Sequence, residues 1–241
     1  MLGIIKDSFL SLTFPQPCHV CSGHVERHAD GIACSKCWDS TRLFSIEMLC
    51  DKCGAFLGEK AAPTPVRCHR CDEHKYRKAR ALGAYEKALS AAIVELKHKP
   101  FIPSRLQSAI NEFSKHAEFS NADVFIPVPL AVQRLKERGF NQAETIAKAV
   151  GVNYGIPVDP NSLRRRVHTP LHRGGMDQKA RELTVKRAFE VIRPKFVEGK
   201  RVVIVDDVLT SGSTVSACAE VLLKSGAVHV DVFTLARAIF R

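Results

Sequence analysis

The sequence predicts an α/β protein in which a parallel β-sheet follows a small N-terminal cysteine-rich domain. Residues 202–205 form a run of β-branched apolar side chains, which is typical of a central strand covered on both faces. Strand and helix patterns alternate between residues 79 and 241, and such alternation indicates a parallel sheet with helices on both faces. Eight of the nine cysteines lie within residues 18–71. We therefore expect two domains, at residues 1–78 and 79–241.

The composition is that of a globular protein. Of the 241 residues, 45% are apolar and 25% are charged. No stretch approaches the roughly 18 to 20 consecutive apolar residues that a membrane-spanning helix needs. The first 14 residues are apolar but contain Lys6 and Asp7 and lack a signal-peptide cleavage site. We expect a cytoplasmic protein without a membrane span.

The cysteines of the first domain form four C-x-x-C pairs. They are Cys18/Cys21, Cys34/Cys37, Cys50/Cys53 and Cys68/Cys71. One such turn presents two thiolates to a metal, and two turns complete a tetrahedral Cys₄ site. The gaps of 12 and 14 residues within successive sets are close to zinc-ribbon spacing. We assign the first two pairs to one Zn²⁺ and the last two to another, with interleaved pairing as the alternative.

The two metal sites are expected to be structural. A domain of about 70 residues has little hydrophobic core, so bound metal would supply much of its folding free energy. Disulfides are one alternative, but they belong to oxidising compartments, and iron in a rubredoxin-like site is another. Eight cysteines fill two ligand shells, so the nearby histidines, His74 among them, are expected at the surface. The ninth cysteine, Cys218, is expected in the core.

The second domain is predicted to alternate strands and helices around residues 202–205. Pro129 should end one strand, because proline ends ladder pairing, and Asn141 should cap the next helix. The other strands are expected at residues 81–85, 122–128, 156–164, 188–192 and 228–235. The helices are expected at residues 88–97, 104–116, 141–150 and 212–225. The segment 79–120 could form a small cap over a ligand site.

Acidic and hydroxyl side chains follow the central strand. Asp206 and Asp207 come directly after it, and a turn then opens the next helix. This turn consists of Thr210, Ser211, Gly212, Ser213 and Thr214. Ligands of parallel sheets bind at the carboxyl ends of strands. Carboxylates at that position can accept hydrogen bonds from a sugar diol, and the N-terminus of a helix can bind a phosphate. A ribose 5-phosphate satisfies both halves; the alternative is an ordinary helix cap beside two solvated acids.

This segment resembles the signature loop of type I phosphoribosyltransferases, which bind phosphoribosyl pyrophosphate (PRPP). It is neither a Walker A loop nor a dinucleotide-binding G-x-G-x-x-G. The order of motifs along the whole chain is similar to that of the ComF family. These motifs are the C-x-x-C pairs, Leu96-Lys97, residues 126–130 (IPVPL), residues 138–142 (RGFNQ) and the signature itself. The resemblance implies a type I phosphoribosyltransferase-like parallel sheet after a Cys₄ zinc-ribbon domain, and a role in DNA uptake.

The resemblance also implies roles for individual residues. Asp206 and Asp207 would bind the ribose hydroxyls, and the turn at residues 210–214 would bind the 5-phosphate. Arg134 and Arg138 are candidates for the pyrophosphate, which Mg²⁺ accompanies, although each could be a surface helix residue. The catalytic set would be Asp206, Asp207 and Arg138.

Positive charge is concentrated in the second domain. The formal net charge is +11, and residues 164–187 hold eight basic and two acidic side chains. In the family, residues 169–181 correspond to a mobile loop over the ligand, and residues 171–177 depart here from the usual pattern. The segment is a solvated loop, a lid over pyrophosphate or a groove for nucleic-acid phosphates. For the last of these, the candidate nucleic-acid-binding residues are Arg164, Arg165 and Arg166.

Two functions of different class follow. The first is a PRPP-binding zinc-ribbon protein that handles single-stranded DNA in DNA uptake and natural transformation, with DNA-uptake or recombination proteins as further candidate partners. The second is an active phosphoribosyltransferase that transfers the ribose 5-phosphate of PRPP to a nucleobase or amide and releases pyrophosphate. A third and weaker idea is a regulator that uses PRPP as a signal. No set of residues identifies an acceptor site, so we prefer the first function.

Overall fold

The computed structural model describes residues 11, 13–58, 66–68, 71, 73–166 and 188–239. Its strands are β1 (Lys78–Ala84), β2 (Val124–Pro127), β3 (Leu163–Arg165), β4 (Phe189–Val191), β5 (Arg201–Leu209) and β6 (His229–Arg237). Its α-helices are α1 (Ser35–Asp39), α2 (Lys87–Leu96), α3 (Ser104–Ser114), α4 (Val132–Arg138), α5 (Gln142–Tyr154), α6 (Pro194–Val197) and α7 (Ser213–Lys224). Two short 3₁₀-helices lie at His28–Asp30 and Ile46–Met48.

The centre of the molecule is a four-stranded parallel sheet with the order β1-β6-β5-β2, and this confirms the predicted fold class. Residues 202–205 of β5 are fully buried. Val203 and Val205 pack with α2, α3 and α5 on one face, whereas Val202 and Ile204 pack with α7 on the other. β3 and β4 form a separate antiparallel pair.

The segment at residues 79–120 belongs to the core of the sheet, so the expected cap over a ligand site is wrong. β1 pairs with β6 along its length, with Ala79 opposite Val232 and Gly83 opposite Ala236. α2 and α3 lie on one face of the sheet. The small residues of β1 also let the backbone of the first domain pack closely against the strand: a Cβ on Gly83 would lie 2.6 Å from the Arg42 carbonyl oxygen.

Most other predicted elements are confirmed with shifted ends. The helix predicted at residues 141–150 extends to Tyr154, and Asn141 caps it, since its side chain accepts from the Ala143 N–H at 3.1 Å. The weak strand predicted at residues 156–164 is instead a single bridge from Val158 to Phe125, followed by β3. Cys218 is fully buried, as expected.

The cysteine-rich part of the chain shares its hydrophobic core with the sheet. Cys18, Cys34 and Cys37 pack in the cluster that contains α2 and α3. Cys50, Cys53 and Cys71 pack in the cluster that contains β5 and α7. The boundary at residue 78 stays a prediction. Within the described ranges, no helix is both long and apolar enough to cross a membrane.

Candidate phosphate-binding site and cysteine tetrads

The acid pair lies inside β5, near its carboxyl end. The prediction placed Asp206 and Asp207 after the strand, but the strand continues to Leu209, because β6 continues beside it and places Arg237 opposite Leu209. Asp207 is 9% exposed, and Asp206 is partly buried. Both carboxylates are therefore held by the sheet rather than by a loop.

Asp207 is at the centre of a polar network. Its Oδ2 accepts a hydrogen bond from Gln142 Nε2 at 3.2 Å and lies 3.5 Å from Lys97 Nζ. Arg138 in turn donates to Gln142 Oε1. The network brings the predicted Arg138 to the acid pair and adds Lys97 and Gln142, to which the sequence analysis gave no role. Both belong to the family motifs, which are the signal that could have identified them.

The surroundings of Asp206 favour its protonated form. Burial and the negative charge of Asp207 raise the pKa of Asp206 to about 8. The Asp207 N–H, which donates to Asp206 Oδ1 at 2.9 Å, opposes this shift. The pair therefore retains a proton near neutral pH. A cation or a hydroxyl donor bound here would stabilise the charged form and release that proton.

The hydroxyl-rich turn joins β5 to the N-terminus of α7. Thr210 and Ser211 are exposed, Gly212 has a left-handed φ of 80°, and α7 begins at Ser213. The hydroxyl oxygens of Ser211 and Ser213 are 3.0 Å apart. Since the first N–H groups of a helix have no partner within the helix, the turn combines hydrogen-bond donors with the positive end of the helix dipole. This arrangement can bind a phosphate dianion.

α4 carries both arginines predicted for the pyrophosphate. It follows the carboxyl end of β2, so it lies at the same end of the sheet as the acid pair. Burial lowers the pKa of Arg138, the charge of Asp207 opposes this shift, and the charge of Arg134 adds to it. Arg134 itself is exposed. The two cations and the two carboxylates thus share one end of the sheet.

The eight paired cysteines form two groups of four, as predicted. Cys18, Cys21, Cys34 and Cys37 form the first tetrad, and Cys50, Cys53, Cys68 and Cys71 form the second. Within each tetrad all Sγ atoms lie within 4.8 Å of one another, and measured separations include 3.8 Å for Cys21–Cys34 and 3.9 Å for Cys50–Cys71. A tetrahedral zinc with bonds of about 2.3 Å separates its sulfurs by about 3.8 Å. The residues fit two zinc ions, and the interleaved pairing is wrong.

Backbone N–H groups stabilise one thiolate in each tetrad. Burial disfavours the thiolate of Cys18, but N–H donors, including that of Cys34 at 3.3 Å, lower the pKa of Cys18 to about 6. In the same way, burial opposes the ionisation of Cys50, and N–H donors, including those of Cys53 and Cys68, lower its pKa to about 7. Both residues are therefore ready metal ligands near neutral pH.

The second tetrad is hydrogen-bonded to the neighbouring strands β1 and β6. Arg237, the last residue of β6, donates to the Cys53 carbonyl oxygen at 2.6 Å. Arg80 of β1 is buried and donates to the Asp51 carbonyl oxygen at 2.9 Å. The Ala79 N–H donates to the Lys52 carbonyl oxygen at 2.7 Å. These bonds hold the second tetrad against β1 and β6, and the residues that follow it reach the hydroxyl-rich turn.

The segment after the second tetrad touches that turn. The Lys75 N–H donates to Ser216 Oγ of α7 at 3.0 Å, and a Cβ added to Gly212 would lie 2.9 Å from the His74 ring. His74 is therefore half-buried rather than a surface residue, and burial together with the charges of Arg237 and Lys52 lowers its pKa. Sequence spacing gives no sign of this contact, because 138 positions separate His74 from Gly212.

The three predicted nucleic-acid-binding arginines lie at β3. Arg164 and Arg166 pair with the same carboxylate, that of Glu190 in β4, at 2.6 and 3.1 Å, and both are more than half exposed. Arg165 lies over the Phe189 ring at 5.5 Å. Since successive strand residues face opposite sides, Arg164 and Arg166 share one face and Arg165 takes the other. The predicted mobile loop at residues 169–181 lies outside the described residues.

Two family models match the chain. A phosphoribosyl transferase domain matches residues 161–239, and a double zinc ribbon domain matches residues 9–72. The first match contains the acid pair and the turn, and the second contains both cysteine tetrads.

Curated proteins are similar over nearly the whole chain. DNA utilization protein YhgH of Escherichia coli is 30% identical over 236 residues, which cover 95% of this chain and 100% of that protein. Competence protein F of Haemophilus influenzae is 29% identical over 230 residues, which cover 92% of this chain and 96% of that protein. A solved structure of glutamine PRPP amidotransferase from B. subtilis is 25% identical, with a TM-score of 0.38, and covers 59% of this chain and 30% of that one.

Proposed function

This chain belongs to the ComF family, in which competence protein F and DNA utilization protein YhgH are its relatives, and on that premise we propose that it binds PRPP and handles single-stranded DNA in DNA uptake and natural transformation. The observation that carries the proposal is the placement of the acid pair and the hydroxyl-rich turn at the carboxyl end of one central strand. Carboxylates for a sugar diol and N–H donors for a phosphate are thereby presented side by side.

In the proposed complex, each part of PRPP has its own partners. Asp206 and Asp207 accept hydrogen bonds from the ribose hydroxyls, and the turn at residues 210–214 holds the 5-phosphate. The pyrophosphate, with its Mg²⁺, lies toward Arg134 and Arg138. Support comes from the network that already ties Arg138 through Gln142 to Asp207. The ion would screen the pyrophosphate charge, and the protein residues would fix its position.

The DNA part of the proposal has two supports. One relative is named for DNA utilization and another for competence. The chain also carries a formal net charge of +11, and Arg164 and Arg166 present exposed guanidinium groups that share a single carboxylate. Such groups replace the counterions of a nucleic-acid backbone, so binding should weaken steeply as salt rises.

A second function, active phosphoribosyl transfer, is favoured by the titration of Asp206. A carboxyl with a pKa of about 8 exchanges its proton near neutral pH, as a general base requires. A nitrogen of a nucleobase or amide would attack C1 of the ribose, pyrophosphate would leave, and the nucleophile's proton would pass to the carboxylate. Positioning and electrostatic stabilisation by the same residues would supply most of the catalysis.

The two functions are separated by fluorescence anisotropy of a labelled single-stranded oligonucleotide, titrated across a salt series with and without Mg-PRPP. We expect tight, salt-sensitive binding that changes when Mg-PRPP is added. Weak oligonucleotide binding that does not change with PRPP, together with pyrophosphate release in the presence of one acceptor, would instead establish the transferase.

The control is the double variant Asp206→Asn/Asp207→Asn. It should lose Mg-PRPP binding in calorimetry while it still unfolds in one cooperative thermal transition and keeps its DNA affinity in the absence of PRPP. A double variant that binds Mg-PRPP as tightly as the parent protein would remove the acid pair from the proposed site.

A further inference from the structure

The segment at residues 73–76, which follows the last cysteine of the second tetrad, forms one side of the hydroxyl-rich turn. If Gly212 carried a Cβ, that atom would lie 2.9 Å from His74 Cε1 and 3.2 Å from the Tyr76 hydroxyl oxygen. The Lys75 N–H fixes the approach by donating to Ser216 Oγ at 3.0 Å. The ribbon segment therefore packs against the turn at Gly212, where the absence of a Cβ allows the close contact.

Tyr76 brings an unused hydrogen-bond donor to this contact. Its side chain is 1% exposed, and its hydroxyl has no hydrogen-bond partner in the part of the chain that the structure describes. Buried hydroxyls normally have a protein, water or ligand partner, because leaving one unpaired costs free energy. The hydroxyl lies next to the N-terminus of α7, a helix of 12 residues whose first N–H groups already favour an anion.

We infer that the Tyr76 hydroxyl, supplied by the zinc-ribbon segment, is a ligand of the phosphate monoester that the turn at residues 210–214 holds. The inference rests on the proposed binding of PRPP and extends it, because it makes the 5-phosphate subsite a joint product of two parts of the chain. His74 is a positioning residue: its ring stacks on that of Tyr76, with centroids 4.9 Å apart and planes 18° apart, and holds the hydroxyl toward the turn.

The test is Tyr76→Phe, which removes one oxygen and keeps the ring. Calorimetry with ribose 5-phosphate and with Mg-PRPP should show dissociation constants raised about tenfold or more, since hydrogen bonds to charged groups are the stronger ones. Inorganic pyrophosphate, which lacks the sugar phosphate, should bind both proteins equally. The melting temperature should stay the same or rise, because an unpaired buried hydroxyl has been removed.

Tyr154→Phe is the matched control. Its hydroxyl donates to the carbonyl oxygens of Ser114 and Ala117 at 2.8 and 2.9 Å, away from the turn. Its loss should lower the melting temperature and leave both dissociation constants unchanged. A purely structural role of Tyr76 would give the same pattern as this control, and that result would overturn the inference.

A second measurement needs no variant. The chain has only three tyrosines, so ¹³C labelling at the phenol carbon resolves each hydroxyl-bearing ring by NMR. Ribose 5-phosphate should shift the Tyr76 resonance and leave that of Tyr154 in place; an unmoved Tyr76 resonance at saturation would contradict the inference. If the parent protein binds neither ligand, the proposed PRPP site fails as well; if the parent binds both and Tyr76→Phe binds equally, only the inference fails.

Discussion

Asp206 and Asp207 are neighbours in sequence but have opposite electrostatic surroundings. Asp207 faces two donors, the Lys97 ammonium and the Gln142 amide, which stabilise its charge. Asp206 is partly buried beside the charge of Asp207, and its pKa rises to about 8. Asp206 therefore holds a proton near neutral pH, so the pair can both accept a hydrogen bond from a ligand hydroxyl and exchange a proton.

Asp206→Asn should make the protein more stable at alkaline pH. The pKa of Asp206 rises from 3.8 to about 8 on folding, so the folded state holds the proton more tightly and stability falls as pH increases through this window. Asparagine imitates the protonated form and removes that fall. Urea unfolding of both proteins across the window measures the difference.

The opposite sign is expected for Asp123→Asn. Hydrogen bonds from Arg201 hold the pKa of Asp123 well below its ordinary value, so this carboxylate stabilises the protein above that value. Its replacement should lower stability at neutral pH.

If the free energies of unfolding of the parent protein and of Asp206→Asn change with pH in the same way, the raised pKa is wrongly assigned to Asp206.

At the scale of elements, α5 links the acid pair to the strand before it. Asn141 caps the helix through the Ala143 N–H and donates from its side-chain amide to the Val128 carbonyl oxygen at 3.0 Å. Gln142, the first residue of the helix, reaches Asp207. One helix start therefore fixes both the polar network and the end of β2.

Asn141→Ala should lower the free energy of unfolding by about 1 kcal/mol, because it removes the cap of α5. Asn141→Ser keeps a capping oxygen and should recover most of this loss. Chemical denaturation of the three proteins gives the comparison. Identical stabilities for all three would show that the cap contributes nothing here.

The β3–β4 pair should set the salt dependence of DNA binding. Glu190→Gln removes the carboxylate that Arg164 and Arg166 share, so DNA affinity should rise and its dependence on salt should steepen. Arg164→Gln/Arg166→Gln should weaken binding and reduce the slope of log affinity against log salt by about 2. Anisotropy titrations across a salt series measure both effects.

Arg27→Gln is the matched control for these variants, because Arg27 is a half-exposed arginine paired with Asp30 in the first tetrad region. The slope of log DNA affinity against log salt should be the same for Arg27→Gln as for the parent protein. If Glu190→Gln and the double arginine variant also keep that slope, the DNA site lies elsewhere on the molecule.

The features predicted correctly from the sequence are those that depend on interactions between residues close together in the chain. The cap at Asn141 and the buried face of α5 follow from residues within one helix, and the cysteine pairing follows from C-x-x-C spacing. The length of β5, the place of β1 in the sheet and the contact of His74 with Gly212 could not be predicted in this way. Each depends on a partner far away in sequence, and no local pattern encodes the distance.

At the scale of the whole molecule, the cysteine tetrads and the sheet form shared hydrophobic clusters. The first tetrad packs with α2 and α3, whereas the second packs with β5 and α7. Metal was expected to supply much of the folding free energy of the first domain, and packing against the sheet adds a second contribution. The ribbon cysteines therefore draw part of their stabilisation from the sheet.

Loss of the second metal should weaken PRPP binding, and loss of the first should not. Cys68→Ser removes a ligand of the tetrad that precedes residues 73–76, so we expect about a tenfold loss of Mg-PRPP affinity. Cys21→Ser removes a ligand of the first tetrad and should leave the affinity for Mg-PRPP unchanged. Metal analysis should find one zinc per chain in each variant. Equal losses of affinity in the two variants would rule out a specific connection.

The position of β6 has a consequence for the cooperativity of the sheet. β6 comes last in sequence among the described strands, yet it lies inside the sheet, between β1 and β5. The Arg77 N–H donates to the Val230 carbonyl oxygen, and the Arg237 guanidinium donates to the Cys53 carbonyl oxygen. Opening of β6 would therefore detach β1 from the central strand and remove a hydrogen bond from the second tetrad in the same event.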